Sequence, residues 1–95
     1  MALFTARMMD AASGSEGRYD FEADDDLLDR TPVRVVRAFM EHVDREIFPR
    51  VPIDYELNAA FANRDHHRVV TAMGTLIHDD DAPTPFLLMI SSKKD

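Results

Sequence analysis

Residues Arg68–His78 read RVVTAMGTLIH. Apolar and β-branched residues recur along them at a spacing of two, which gives a strand with side chains on both faces. Val69, Thr71, Met73, Thr75 and Ile77 share one face, and Val70, Ala72, Gly74 and Leu76 the other. It is the longest run of its kind in the chain and predicts the central strand of a small antiparallel sheet. Gly74 leaves a gap mid-strand, the mark of a bulge or of a place where another backbone or ring comes close.

Downstream, Asp79-Asp80-Asp81-Ala82-Pro83-Thr84-Pro85 reads as a loop of three repelling carboxylates and two prolines. Phe86–Ser91 is a last strand, followed by the charged tail Lys93-Lys94-Asp95. Phe86, Leu88 and Ile90 point one way along that strand, and Leu87 and Met89 the other. Both of its faces are therefore apolar.

Upstream, Asn63-Arg64-Asp65-His66 is turn material. Tyr55–Ala62 alternates with Tyr55, Leu57, Ala59 and Phe61 on one face, the pattern of a half-buried strand. Its good helix formers allow a helix instead, but the alternation and Pro52 favour the strand. Pro49 and Pro52 make residues 48–52 a connection.

Thr31-Pro32 opens the clearest helix. Threonine suits the cap, its hydroxyl accepting from a free N–H of the first turn, and proline the first helical position. The helix is expected to run to about Phe48, before Pro49. Val33, Val36, Phe39, Met40, Val43 and Ile47 make its apolar stripe, flanked by Val35 and His42.

Met1–Arg30 has weaker signals. Leu3, Phe4, Met8 and Met9 lie at helix-like spacing, and Tyr19 and Phe21 suit a short edge strand. Ala23–Asp29 places Asp24, Asp25, Asp26 and Asp29 around Leu27 and Leu28, an acidic linker or docking segment with two apolar anchors. The expected fold is α+β: one amphipathic helix packed on a three-stranded antiparallel meander, with a poorly structured or short-helical acidic N-terminal segment. Residues 1–30 form the flexible or docking segment, 31–92 the α-β-β-β domain and 93–95 the tail.

Eighteen acidic against eleven basic residues give a net charge of −7. This disfavours direct nucleic-acid binding and suits a basic partner or simple solubility. With no cysteine, disulfides, thiolate catalysis and cysteine metal sites are excluded. The composition fits a reducing compartment, and a cytoplasmic location is expected. No apolar run approaches the roughly 20 residues of a membrane span.

Chemical signals are few. His66-His67 with Asp65, and His78 with Asp79–Asp81, are metal-ligand types. A straight strand from His67 to His78 holds its ends about 35 Å apart, too far to share an ion within one chain. The Asp79–Asp81 run lacks the alternate spacing of a calcium loop. No nucleophile elbow or phosphate-cradling glycine loop is present, and no metal or cofactor is expected.

The functional expectation is a small acidic interaction protein, a non-enzymatic subunit or regulator of a larger assembly. It would bind through a sheet face or edge and the acidic N-terminal segment, with Leu27, Leu28, Leu87 and Met89 as partner contacts. One helix covers only one sheet face, so the second awaits the N-terminal segment, a second copy or a larger protein. Two alternatives are carried. One is a ligand or enzymatic pocket between helix and sheet, lined by Phe39, Tyr55, Phe61 and Met73 with His42 or His67 as acid/base. The other is an acidic decoy of a nucleic-acid-binding protein, using Asp24–Asp26 and Asp79–Asp81.

Overall fold

The alternation that marks Arg68–His78 recurs, less visibly, near the start of the chain. In the computed structural model, which describes residues 1–10, 14, 16–47, 54–63, 68–77 and 82–93, it builds two more strands. The elements are β1 (Ala2–Asp10), β2 (Glu16–Ala23), a 3₁₀ turn (Leu27–Asp29), α1 (Pro32–His42) continued by a π-type turn (Val43–Ile47), β3 (Asp54–Asn63), β4 (Val69–Ile77) and β5 (Thr84–Ser92). The five strands form one antiparallel sheet in the order β2-β1-β5-β4-β3. The expected three-stranded meander is therefore wrong: the sheet has five strands, because the N-terminal hairpin pairs along β5 beside β4 and β3.

The segment expected to be poorly structured or helical is that hairpin. Leu3, Phe4, Met8 and Met9 fit helical spacing, but strand alternation separates them. Phe4, Ala6 and Met8 turn inward, while Leu3, Thr5, Arg7 and Met9 turn outward. Backbone pairing on both sides decides the matter, since Ala6 lies between Tyr19 and Ile90. Local sequence carries no trace of the second of these partners.

The inner face is completed by Phe21 of β2, Val70 and Ala72 of β4, and Phe86, Leu88 and Ile90 of β5. Helix α1 lies on it. Thr31 takes extended cap geometry and its carbonyl accepts from the N–H groups of Arg34 and Val35, while its hydroxyl makes no capping bond. Val35, Val36, Phe39, Met40 and Val43 are buried, and Val33 is exposed. The apolar stripe is therefore rotated: Val35 belongs in it and Val33 does not. Phe39 sits 5.4 Å from the ring of Phe21 and 6.1 Å from that of Tyr19, and Phe21 lies 5.8 Å from Phe4. Tilted pairs at these separations add about 1 kcal/mol each beyond burial.

Two details set the register. In β3 the pairing with β4 shifts between Leu57 and Ala59. The extra residue of this bulge reverses the alternation, so Tyr55, Leu57 and Ala60 pack on the core while Phe61 is exposed on the opposite face. Strict period two places Phe61 beside Tyr55 and Leu57; the bulge separates them. Opposite the bulge, Gly74 is buried, and a side chain there would meet the backbone carbonyl of Glu56 and, at 2.9 Å, the ring of Phe86. Both a close backbone and a close ring occupy the gap.

Candidate functional site

Among the described residues no helix lies over the outer face of the sheet. The register sets its residues in rows across the strands. One row runs Arg18, Arg7, Met89, Thr71, Phe61; the next runs Glu16, Met9, Leu87, Met73, Ala59. Exposure is 38% at Met9, 43% at Met89, 49% at Met73 and 60% at Phe61, so one apolar patch spans four of the five strands. Methionine side chains are unbranched and polarisable, which suits an adaptable contact surface.

Toward β2 the face becomes charged. Arg7 and Arg18 are direct cross-strand partners, a like-charge pairing that costs stability. Arg7 Nε lies 3.6 Å from the carboxylate of Glu16. Arg18 has no ion-pair partner among the described residues. The carboxylate two positions along β2, Asp20, is already engaged: it accepts from the Thr5 hydroxyl at 3.0 Å and from Lys93 Nζ at 2.5 Å. Those two hydrogen bonds, Lys93 first, hold the Asp20 carboxyl below its usual range. The Thr5 hydroxyl is the one buried polar group of the described core, and its bond to Asp20 satisfies it. An open depression of about 280 Å³ lies beside the arginines, lined by Thr5, Arg7, Arg18, Val69, Met89 and Ser91.

The four expected contact residues divide. Leu87 and Met89 lie on this outer face. Leu27 and Leu28, 0% and 5% exposed, belong to the core, so a partner reaches them only by displacing what covers them. The acidic stretch around them is organised as well: Arg30 donates to Asp24 at 2.6 Å and to Asp26 at 3.3 Å, and Arg68 pairs with Asp29. Contact with Asp24, ahead of the pull of Asp26, raises the pKa of Arg30 further. The repulsion expected of adjacent aspartates is offset by a cation folded back upon them.

The alternative readings meet the same geometry. Phe39 and Tyr55 are on the inner side of the sheet, whereas Phe61 and Met73 are on the outer side. These four residues do not line one pocket. His42 packs against Phe21 at 5.7 Å between ring centres. His66, His67, His78 and Asp79–Asp81 lie outside the described residues. Among the described residues no group of three histidine or acidic side chains is placed to hold a metal ion. Nor is any helix among them long and apolar enough to cross a membrane.

Met9, Phe61, Met73, Arg7 and Arg18 are missing from the sequence-level contacts. For Met73 the signal was present, because it shares a strand face with Val69 and Thr71. Met9, Arg7 and Arg18 require the hairpin to be recognised, and Phe61 requires the bulge. No family model, curated protein or solved structure matches the chain.

Proposed function

We propose that this chain is a non-enzymatic interaction protein, a subunit or regulator that binds another protein surface through the outer face of its sheet. One observation carries the reading: Met9, Met89, Met73 and Phe61 form a contiguous exposed apolar patch on a regular five-stranded face. Contiguous apolar patches rimmed by charge mark interaction sites, because leaving them in water forgoes about 25 cal/mol per Å². The acidic stretch plays a smaller part than its charge suggests, since Arg30 contacts both Asp24 and Asp26 and offsets one of their two charges. A cytoplasmic setting and a partner that is either basic or a second copy of the chain complete the proposal; a net charge of −7 speeds encounter with a basic surface.

The paired substitution Leu87→Asp with Met89→Asp puts two carboxylates in the middle of the patch and leaves the inner face untouched. Loss of self-association and of partner recovery, with an unchanged circular dichroism spectrum, is the expected result. Association and recovery identical to the wild type would sink the reading.

A further inference from the structure

We propose that the occupant of the outer face is a second copy of this chain, related by a two-fold axis running across the strands between the Arg7 row and the Met9 row. The inference rests on the reading of that face as a binding surface and adds its occupant and register. An axis so placed, in the plane between two stacked sheets, lays each row over the other row of the second copy and each strand over its own counterpart. Arg18 then stands over the partner's Glu16, and Glu16 over the partner's Arg18. Met89 meets the partner's Leu87, Thr71 the partner's Met73, and Phe61 the partner's Ala59. Opposite charges coincide, and the largest side chain of the patch falls on the smallest.

The pairing also answers the imbalance within one chain. Arg18 faces Arg7 across the ladder and has no ion-pair partner among the described residues, while the nearby Asp20 is held by Thr5 and Lys93. A carboxylate arriving from outside the chain relieves that repulsion, and the isologous arrangement supplies it twice. The depression beside the arginines lies opposite the partner's Met9 and Leu87, flexible and apolar side chains suited to filling it. An axis running along β5 is poorer. It would set Arg18 over the partner's Phe61 and Glu16 over the partner's Ala59, so no carboxylate would reach Arg18 and Glu16 would keep only its own Arg7.

The axis crosses β5 at its middle but β1 and β2 near their ends, so the described strands that lie over their counterparts, about 4.8 Å apart, present roughly 400 Å², below the ~800 Å² per partner of a standard interface and in the range of a weak, reversible dimer. Two copies repel through their net charge, but at physiological salt that repulsion is screened beyond about 8 Å, leaving the local pairing to decide. The exposed acidic residues Asp24, Asp25, Asp26 and Asp29 belong to the segment between β2 and α1, outside both rows.

The test uses two single charge reversals of the full chain, Arg18→Glu and Glu16→Arg, followed by sedimentation equilibrium over a concentration series. Each variant alone places like charges together twice in the dimer, and its dissociation constant should rise about tenfold. An equimolar mixture of the two should recover wild-type affinity, because every such contact in the mixed dimer again joins opposite charges. A role confined to one chain is not rescued by mixing, so a mixture no tighter than its components overturns the register. A wild-type chain that stays monomeric throughout overturns the second copy as occupant and leaves the face to a different protein. In both cases the reading of the face itself stands or falls separately, on the Leu87→Asp, Met89→Asp variant.

Discussion

The two faces of this sheet are built from the same five strands and alternate residues, yet they use apolar side chains differently. The inner face carries Phe4, Phe21, Val70, Phe86, Leu88 and Ile90, all buried beneath α1 with Phe39 at the centre. The outer face carries Met9, Met73, Met89 and Phe61, interleaved with threonine, serine and arginine. The first is branched and aromatic, shaped to one fixed partner in the same chain. The second is mostly unbranched and mixed with polar groups, the composition of an adaptable exposed surface. Side-chain chemistry therefore separates the face that packs the core from the face left exposed, which we propose as the binding surface.

The sharpest way to break this contrast is to empty the inner face. Phe39→Ala removes a fully buried ring packed at a tilt against Phe21 and Tyr19, and should cost about 4 kcal/mol. For a chain this small that is a drop of tens of degrees in melting temperature, on the order of 4–8 °C per kcal/mol, readable by thermal circular dichroism. Gly74→Ala tests the inner face by overfilling. Its methyl group would run into the Glu56 carbonyl and the Phe86 ring, and the ladder must shift at a cost of about 3 kcal/mol, visible as a lower urea midpoint. The outer-face variant Leu87→Asp, Met89→Asp should change the stability of the isolated chain far less, by about 1 kcal/mol or under, as surface substitutions do. A large loss there would mean that the outer face also holds the fold together.

Acid reaches a smaller term. The Asp20 carboxyl is held low in the folded chain by Lys93 and Thr5. Its contribution is therefore fully present above the unfolded value of about 3.8 and is lost as pH falls through the lower folded value. Lys93→Ala should move the Asp20 titration, followed by NMR, up toward the ordinary carboxylate range and flatten stability against pH below about 4. A titration that does not move would remove Lys93 as the main cause.

The parts of this fold that sequence reading recovered carry their signal locally. Thr31-Pro32 marks the helix start through the proline at its first position, though the Thr31 hydroxyl makes no capping bond, and β4 alternates while β5 shows as a short apolar run before a charged tail. The two apolar sides of β5 likewise revealed that a second face needed explaining, which placed Leu87 and Met89 correctly on it. What was missed is decided at a distance. β1 is a strand because Ala6 lies between Tyr19 and Ile90, the latter more than eighty positions away in the chain. Phe61 changes sides because of a single extra residue at the bulge. Leu27 and Leu28 sit in the same acidic stretch whether buried or free, and only the finished core distinguishes the two.

The strand order has a consequence in time. β5 is the last of the five strands to be synthesised, and it occupies the middle of the sheet. Until it emerges, the hairpin β1–β2 and the hairpin β3–β4 can each form, but each keeps an inner edge of unpaired amides and carbonyls where β5 belongs. Closing the sheet means joining β1 to a strand about eighty residues further on, an entropic demand that slows folding relative to locally connected strands. A nascent chain stalled just before Thr84 would hold two half-sheets waiting for a keystone, the moment at which this protein most needs protection from its neighbours.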